Sequence, residues 1–313
     1  MSSIFEDDHP ALRNPQAEQM ADESMLRTLE HQIAAIWPHE KRLFSRYALP
    51  AGARILDLGC GSGQASMRLC EIFPGAEEVL GLDVLPELVT AACRAAHKSG
   101  RWCSAGQPPE VSSGRWGPEG PRLSFAQGDG FALKQPDEYF DLVVCRHVTQ
   151  AVPAAERLLA EAVRVLKPGG WLHVLSEDYG MLHFPLRNGR DPDRLWHEAV
   201  VPFTQVTGTD ARIGRRTLAI LRELGLSHRS VQYLTIDTET APREALIGIF
   251  SAWRDGYAEV LAQHSRFSID EIRDLFAAVI ETLQDPEGYG VWQVPVLAGQ
   301  KPASSAAADE PAA

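Results

Sequence analysis

Nine consecutive residues, Ile55-Leu56-Asp57-Leu58-Gly59-Cys60-Gly61-Ser62-Gly63, set a carboxylate just ahead of three alternating glycines. Glycines so placed allow a tight turn, close approach of backbone to a ligand, and the opening of a helix. An ordinary turn between a strand and a helix would use the same glycines, so their neighbours decide. Asp57 stands where a nucleotide diphosphate would be repelled, because pyrophosphate is itself anionic; a ligand bearing a cation is the better match. A dinucleotide fingerprint would need a glycine where Gln64 stands, and no P-loop lysine follows. Asp83 lies twenty residues past Gly63 and offers two acceptor oxygens that suit a ribose diol.

The elements that must hold these residues follow from periodicity. Arg54–Leu58 reads as a buried strand leading into the glycines, with a helix over Gln64–Phe73 behind them. Glu78–Asp83 is a second strand and Pro86–Lys98 a helix whose proline suits its first turn. Further strands are expected at Leu123–Gln127, Tyr139–Cys145, Trp171–Ser176, Ser227–Thr235 and Gly290–Ala298. Helices are expected at Ala154–Leu166, Asp210–Leu224, Pro242–Ala262 and Ser268–Gln284, and Lys167-Pro168-Gly169-Gly170 reads as a turn. Strands alternating with helices predict an α/β fold: a doubly wound, seven-stranded, mostly parallel sheet of Rossmann-like type with helical cap insertions.

Three segments stand apart from this rhythm. Residues 1–50 form an amino-terminal helical segment, a lid or a dimer contact, in which Pro38 breaks or kinks the helix. Residues 99–122 hold five glycines and four prolines without a period and read as a loop insertion, with a lid near the ligand as the alternative. Residues 301–313, rich in alanine, serine and proline, read as a disordered tail.

The chain has 30 basic and 42 acidic side chains, a formal charge of -12, which disfavours a nucleic-acid backbone or an anionic membrane as partner. Five cysteines, Cys60, Cys70, Cys93, Cys103 and Cys145, form no C-x-x-C pair and suggest neither disulfides nor a zinc site. A cytoplasmic protein, monomer or homodimer, with no metal is expected. The first twenty residues have no apolar stretch of signal-peptide type.

Taken with its context, the run Arg54–Gly63 resembles the first motif of the class I S-adenosylmethionine-dependent methyltransferases. Leu82-Asp83-Val84 is similar to their second motif, Gly128-Asp129-Gly130 to the third and Phe140-Asp141-Leu142-Val143 to the start of the fourth. Val165-Leu166-Lys167-Pro168-Gly169-Gly170 before Trp171 is similar to the fifth. The resemblance implies S-adenosyl-L-methionine as cofactor and S-adenosyl-L-homocysteine as product. It implies Asp57, Gly59, Cys60, Gly61 and Gly63 around the methionine part, and Asp83 on both ribose hydroxyls. Val84 would pack against the adenine, Asp129 accept from its amino group, and Gly130 offer its backbone beside the ring. Cys145 and Arg146 would follow the fourth strand, where the sulfonium faces the acceptor.

Ligands of an open parallel sheet collect beyond the carboxyl ends of its strands. The catalytic candidates there are His147, Asp178, Tyr179 and His183, with Gln150 and Glu177 beside them. His147 or His183 could take a proton from an acceptor hydroxyl or amine, and each could equally be a packing or capping histidine. Asp178 is the candidate to orient either one or to bind a cationic substrate. Tyr179, Phe184, Trp196 and Phe203 would wall the acceptor if 179–207 folds back as a lid, with 241–284 completing the cap. The expected activity is methyl transfer to oxygen or nitrogen of a small-molecule metabolite. A protein methyltransferase, or a cofactor-binding protein or cyclase-like enzyme that keeps the methyl, are the alternatives.

Overall fold

The computed structural model describes residues 23–106 and 112–303. Residues 1–22 of the expected amino-terminal segment and 304–313 of the expected tail lie outside the described residues.

Helix α1 (Glu23–Glu40) runs through Pro38 without ending there, and a 3₁₀ turn at Lys41–Arg46 then carries the chain to the sheet. The parallel core follows: β1 (Arg54–Leu58), α2 (Gln64–Ile72), β2 (Glu78–Asp83), α3 (Pro86–Lys98), then, past two short strands, β5 (Arg122–Gln127) and β6 (Phe140–Arg146). Helix α4 (Ala155–Val165) leads into β7 (Leu166–Leu175). Strand β1 pairs in parallel with β2 and β6, β2 with β5, and β6 with β7. Every residue of β2 is buried, and so is β6 up to Cys145, as expected of strands covered on both faces.

The pleat assigns side chains to the two faces. Ile55 joins Trp37, Phe44, Leu69 and Phe125 on one side. Leu56 and Leu58 join Val143, Leu158, Leu159 and Leu221 on the other. The sheet is therefore sandwiched, and the ends of β1, β2 and β6 open at one edge, where the glycines lie.

The sheet has ten strands among the described residues, not seven. The expected loop at 99–122 contributes β3 (Trp102–Cys103) and β4 (Ser113–Trp116), which extend the sheet antiparallel beyond β5. Trp102 and Trp116 are buried there, and Trp102 donates its indole N–H to the Leu123 carbonyl. These tryptophans anchor the sheet edge beyond β5 and line neither pocket, so they form no lid. The third added strand is β8 (Leu182–His183), which pairs antiparallel with Val291 and Trp292. Lys167–Gly170, expected as a turn, lies within β7 and is accommodated by an irregular register between Phe140 and Leu142.

Beyond β8 the chain forms α5 (Asp193–Leu195), a π turn at Trp196–Val200 and α6 (Val201–Thr207). Helix α7 (Gly214–Glu223) then leads to β9 (Ser227–Asp237). Helices α8 (Arg243–Gln263) and α9 (Ile269–Gln284) precede β10 (Val291–Gln300), which runs antiparallel to both β7 and β9. Ser268 starts α9 with a capping box: its side chain accepts from the Glu271 N–H while the Glu271 carboxylate accepts from the Ser268 N–H. Helices α1, α8 and α9 close over the sheet through a cluster that includes Ile36, Trp196, Phe250, Trp253, Phe276 and Trp292. No described helix is long and apolar enough to cross a membrane.

Candidate active site

The glycine loop is fixed by its own backbone. Gly59 and Cys60 donate their N–H groups to the Leu82 carbonyl at 2.8 and 3.0 Å, tying the end of β1 to the end of β2. Gly59, at φ +75°, has no room for a side chain: a Cβ there would lie 2.3 Å from Val148 Cγ2. Asp83 is buried, and its Oδ2 accepts from the Gly61 N–H at 2.9 Å while Oδ1 accepts from the Leu85 N–H at 3.1 Å. Burial nonetheless raises its pKa above the usual carboxylate value. Asp57 is buried deeper and accepts from Ser66 Oγ at 2.6 Å. Burial pushes its carboxyl up to about 6, against the pull of the Ser66 hydroxyl. Asp129 accepts from the Phe131 N–H at 2.9 Å, shaping the turn after β5 that brings Gly128 and Gly130 to the opening.

At the end of β6 the chain turns through His147, whose φ of +56° is left-handed and uncommon outside glycine. The His147 N–H donates to the Leu175 carbonyl, and its Nδ1 pairs with Glu177 Oε1. Glu177 is fully buried, and Nε2 of His147 is buried with no hydrogen-bond partner among the described residues. An orphaned polar atom in a closed site marks a place where a ligand group belongs. Next to it Arg146 is clamped by Glu40: Nη2 donates to Oε2 at 2.7 Å and Nε to the same oxygen at 2.9 Å. Burial would lift the Glu40 carboxyl, but Arg146 and His173 outweigh it and hold it at about 2.

These groups surround a cavity of about 190 Å³. One end is formed by Gly59, Gly61, Asp83, Val84, Asp129 and Gly130, the other by Tyr179, Trp196, Phe203, Trp253, Tyr257 and Phe276. A smaller pocket of about 30 Å³ adjoins it and is lined by Asp57, Cys60, Ser62 and Gln64. Gly59, Arg146 and His147 line both, so His147 stands between the glycine loop and the aromatic chamber.

The methyltransferase domain family model matches residues 56–174, the stretch from β1 to β7 that builds the glycine loop and the His147 turn. Those residues are a methyltransferase domain. A sterol 24-C-methyltransferase of Aspergillus fumigatus is 32% identical over 166 residues, 53% of this chain and 37% of that protein. A demethylmenaquinone methyltransferase of Thermus thermophilus is 34% identical over 126 residues, 40% of this chain and 48% of that protein. The chain thus spans less than half the length of either relative. A Haemonchus contortus phosphoethanolamine N-methyltransferase, solved in complex with S-adenosyl-L-methionine, shares the fold. Its TM-score is 0.57 at 17% identity, over 93% of this chain and 60% of that one.

Of the expected site residues, Asp57 and Cys60 line only the smaller pocket, and four line neither. Gly63 starts α2 at φ +73°, and a Cβ there would meet Phe125 and Ala92 within 2.8 Å, so the glycine serves packing. Cys145 points into the core below the loop, beside Leu58 and Leu158, and burial pushes its thiol up to about 12. His183 is 56% exposed at its side chain and pairs with Asp193 on the surface. Asp178 orients no histidine. It accepts from Arg215 through both oxygens at 2.7 Å and from the Gly180 N–H at 3.1 Å, holding the 3₁₀ turn that presents Tyr179.

The carboxylate beside His147 is Glu177, one residue earlier, because the alternation along the end of β7 sends neighbouring side chains to opposite sides. Sequence reasoning missed Met25, Thr28, Leu29 and Gln32 of α1, which line the domain's cavity. Their three- and four-residue spacing showed a helix face but not what it covers.

Proposed function

We propose that the protein binds S-adenosyl-L-methionine and transfers its methyl group to an oxygen or nitrogen of a small molecule, with His147 as the base. The observation that carries this reading is the position of His147, with its partnerless Nε2, between the carboxylate-and-glycine end and the aromatic end of one cavity.

The residues fit the cofactor. Asp83 has the buried, backbone-held carboxylate that a ribose diol requires. Gly59 and Gly61 let the main chain approach, and Asp57 supplies the anion for the methionine ammonium through the loop. Val84, Asp129 and Gly130 would take the adenine. When bound, the cofactor supplies a sulfonium-activated methyl, so the protein must position, desolvate and remove a proton. His147 Nε2 takes the proton that the acceptor hydroxyl or amine gives up. Glu177, behind Nδ1, fixes the tautomer that leaves Nε2 free to accept it and stabilises the imidazolium that results. Helices α1, α8 and α9 exclude water.

The test is release of S-adenosylhomocysteine from labelled cofactor with cell extract split by molecular mass. Turnover with the low-mass fraction supports the proposal. Turnover confined to the macromolecular fraction would replace it with a protein substrate. Cofactor binding without turnover in either would favour a protein that keeps the methyl.

A further inference from the structure

The ionic inventory of the cavity wall is short. Asp83, Asp129 and Arg146 are the only wall residues of permanent charge among those described, with His147 titratable beside them. Both aspartates belong to the glycine-loop end. Arg146 is spoken for by the bidentate grip of Glu40, and its guanidinium lies 5.7 Å from the Trp37 ring centre. Glu177 is turned to His147. Among the described residues, the aromatic end therefore contains no cation to neutralise a carboxylate or phosphate, and no carboxylate to neutralise an ammonium.

Aromatic rings can replace a carboxylate when they form an open cage around a cation. Here they do not. Trp253 meets Tyr179 edge to face at 5.4 Å between ring centres and Trp196 at 6.3 Å, while Tyr179 stacks on Trp196 at 6.5 Å. Rings at these separations are in contact with each other and form a continuous wall, so a cation could meet only their cavity-facing sides, with no carboxylate beside them among the described residues.

We infer that the acceptor is an uncharged, ring-bearing molecule that places one hydroxyl at His147, and that the chamber rejects anionic and cationic analogues of the same shape. This rests on the proposed methyl transfer for its purpose, but its physical basis is the wall alone. An ion entering the chamber would give up its hydration without gaining a counter-charge, whereas a neutral ring exchanges water for apolar contact.

The test is binding of 2-naphthol, 2-naphthoate and 2-naphthylmethylamine at pH 7, followed by tryptophan fluorescence and calorimetry with S-adenosylhomocysteine present. The neutral phenol should bind about tenfold or more tighter than either ion, as expected where a buried charge finds no partner. Equal or tighter binding of naphthoate or the amine would overturn the inference. So would absence of naphthol binding up to about 1 mM, the weak end of the affinity scale. Val200→Lys sets a cation on the half-buried rim beside Trp196 and should turn the preference toward naphthoate. A folded V200K protein with unchanged order would place the probes elsewhere and also overturn it. Titration with S-adenosylhomocysteine alone separates the two claims: its failure with naphthol selectivity intact removes the cofactor reading and leaves the neutral chamber.

Discussion

Glu40, the last residue of α1, and Arg146, the last residue of β6, form a bidentate ion pair with both side chains almost wholly buried. The pair nails the amino-terminal helix to the sheet beside the active site. Behind it a chain of hydrogen bonds continues outward: His173 Nε2 to Glu40 at 2.9 Å, Tyr47 to His173 Nδ1 at 2.7 Å, and Arg46 to Tyr47 at 2.8 Å. Burial lowers the His173 pKa despite Glu40, so the ring is neutral, with Nε2–H as donor and Nδ1 as acceptor from the Tyr47 hydroxyl. Breaking a buried pair from one side costs about 3–5 kcal/mol because the surviving charge stays buried. Glu40→Ala should lose that much in urea unfolding, and a loss of surface-pair size would show that Arg146 finds another partner.

Asp83 carries the cofactor assignment. Its two oxygens are held in place by the N–H groups of Gly61 and Leu85, so Asp83→Ala removes the ribose acceptor together with its grip on the glycine loop. Calorimetry should show S-adenosylhomocysteine binding weakened by about 2–3 kcal/mol, the size for a charged acceptor lost from buried donors. Unchanged affinity would remove this residue from the site.

How far the sequence foretold this site depends on the range of the signal. The glycine run, Asp57 and Asp83 are local: the turn, the strand ends and the carboxylates lie within thirty residues, and periodicity places them. The Glu40–Arg146 pair spans 106 residues and depends on where α1 docks, which no spacing encodes. The 99–122 segment reads as a loop because its glycines and prolines mask strands of two and four residues, too short for a period to show. Choosing Asp178 over Glu177 as the histidine's partner is a slip of one residue, and on an extended chain one residue reverses the side a carboxylate faces.

His147 can be tested without disturbing its unusual backbone. His147→Asn keeps a residue that tolerates positive φ while removing the imidazole. Turnover should fall by about 10²–10⁴, the usual contribution of a general base, with cofactor affinity little changed. Glu177→Gln should produce a smaller loss and move the pH profile of kcat, because it alters the histidine's charge balance without removing it. If H147N retains full turnover on the identified acceptor, no base is needed at this position.

Asp57 gives the site a pH dependence of unusual sign. Its carboxyl, pushed up to about 6 mainly by burial, holds more proton in the folded chain than in the unfolded one between its ordinary 3.8 and that value. The stability this group contributes to the ligand-free protein therefore increases as pH falls from 6 toward 4, by on the order of 3 kcal/mol. Cofactor binding runs the other way. A cationic methionine end requires the carboxylate, so affinity should be steady above pH 7 and fall up to about tenfold per pH unit below 6. Asp83, raised by burial in the same direction, would add to the trend, so the wild-type curve alone does not assign it. Asp57→Asn separates the two: it should flatten the Asp57 part of both profiles and reduce the proton release seen by calorimetry in buffers of different ionisation enthalpy. Identical proton release in wild type and D57N would mean that Asp57 is ionised before the cofactor arrives, and that Ser66 outweighs burial.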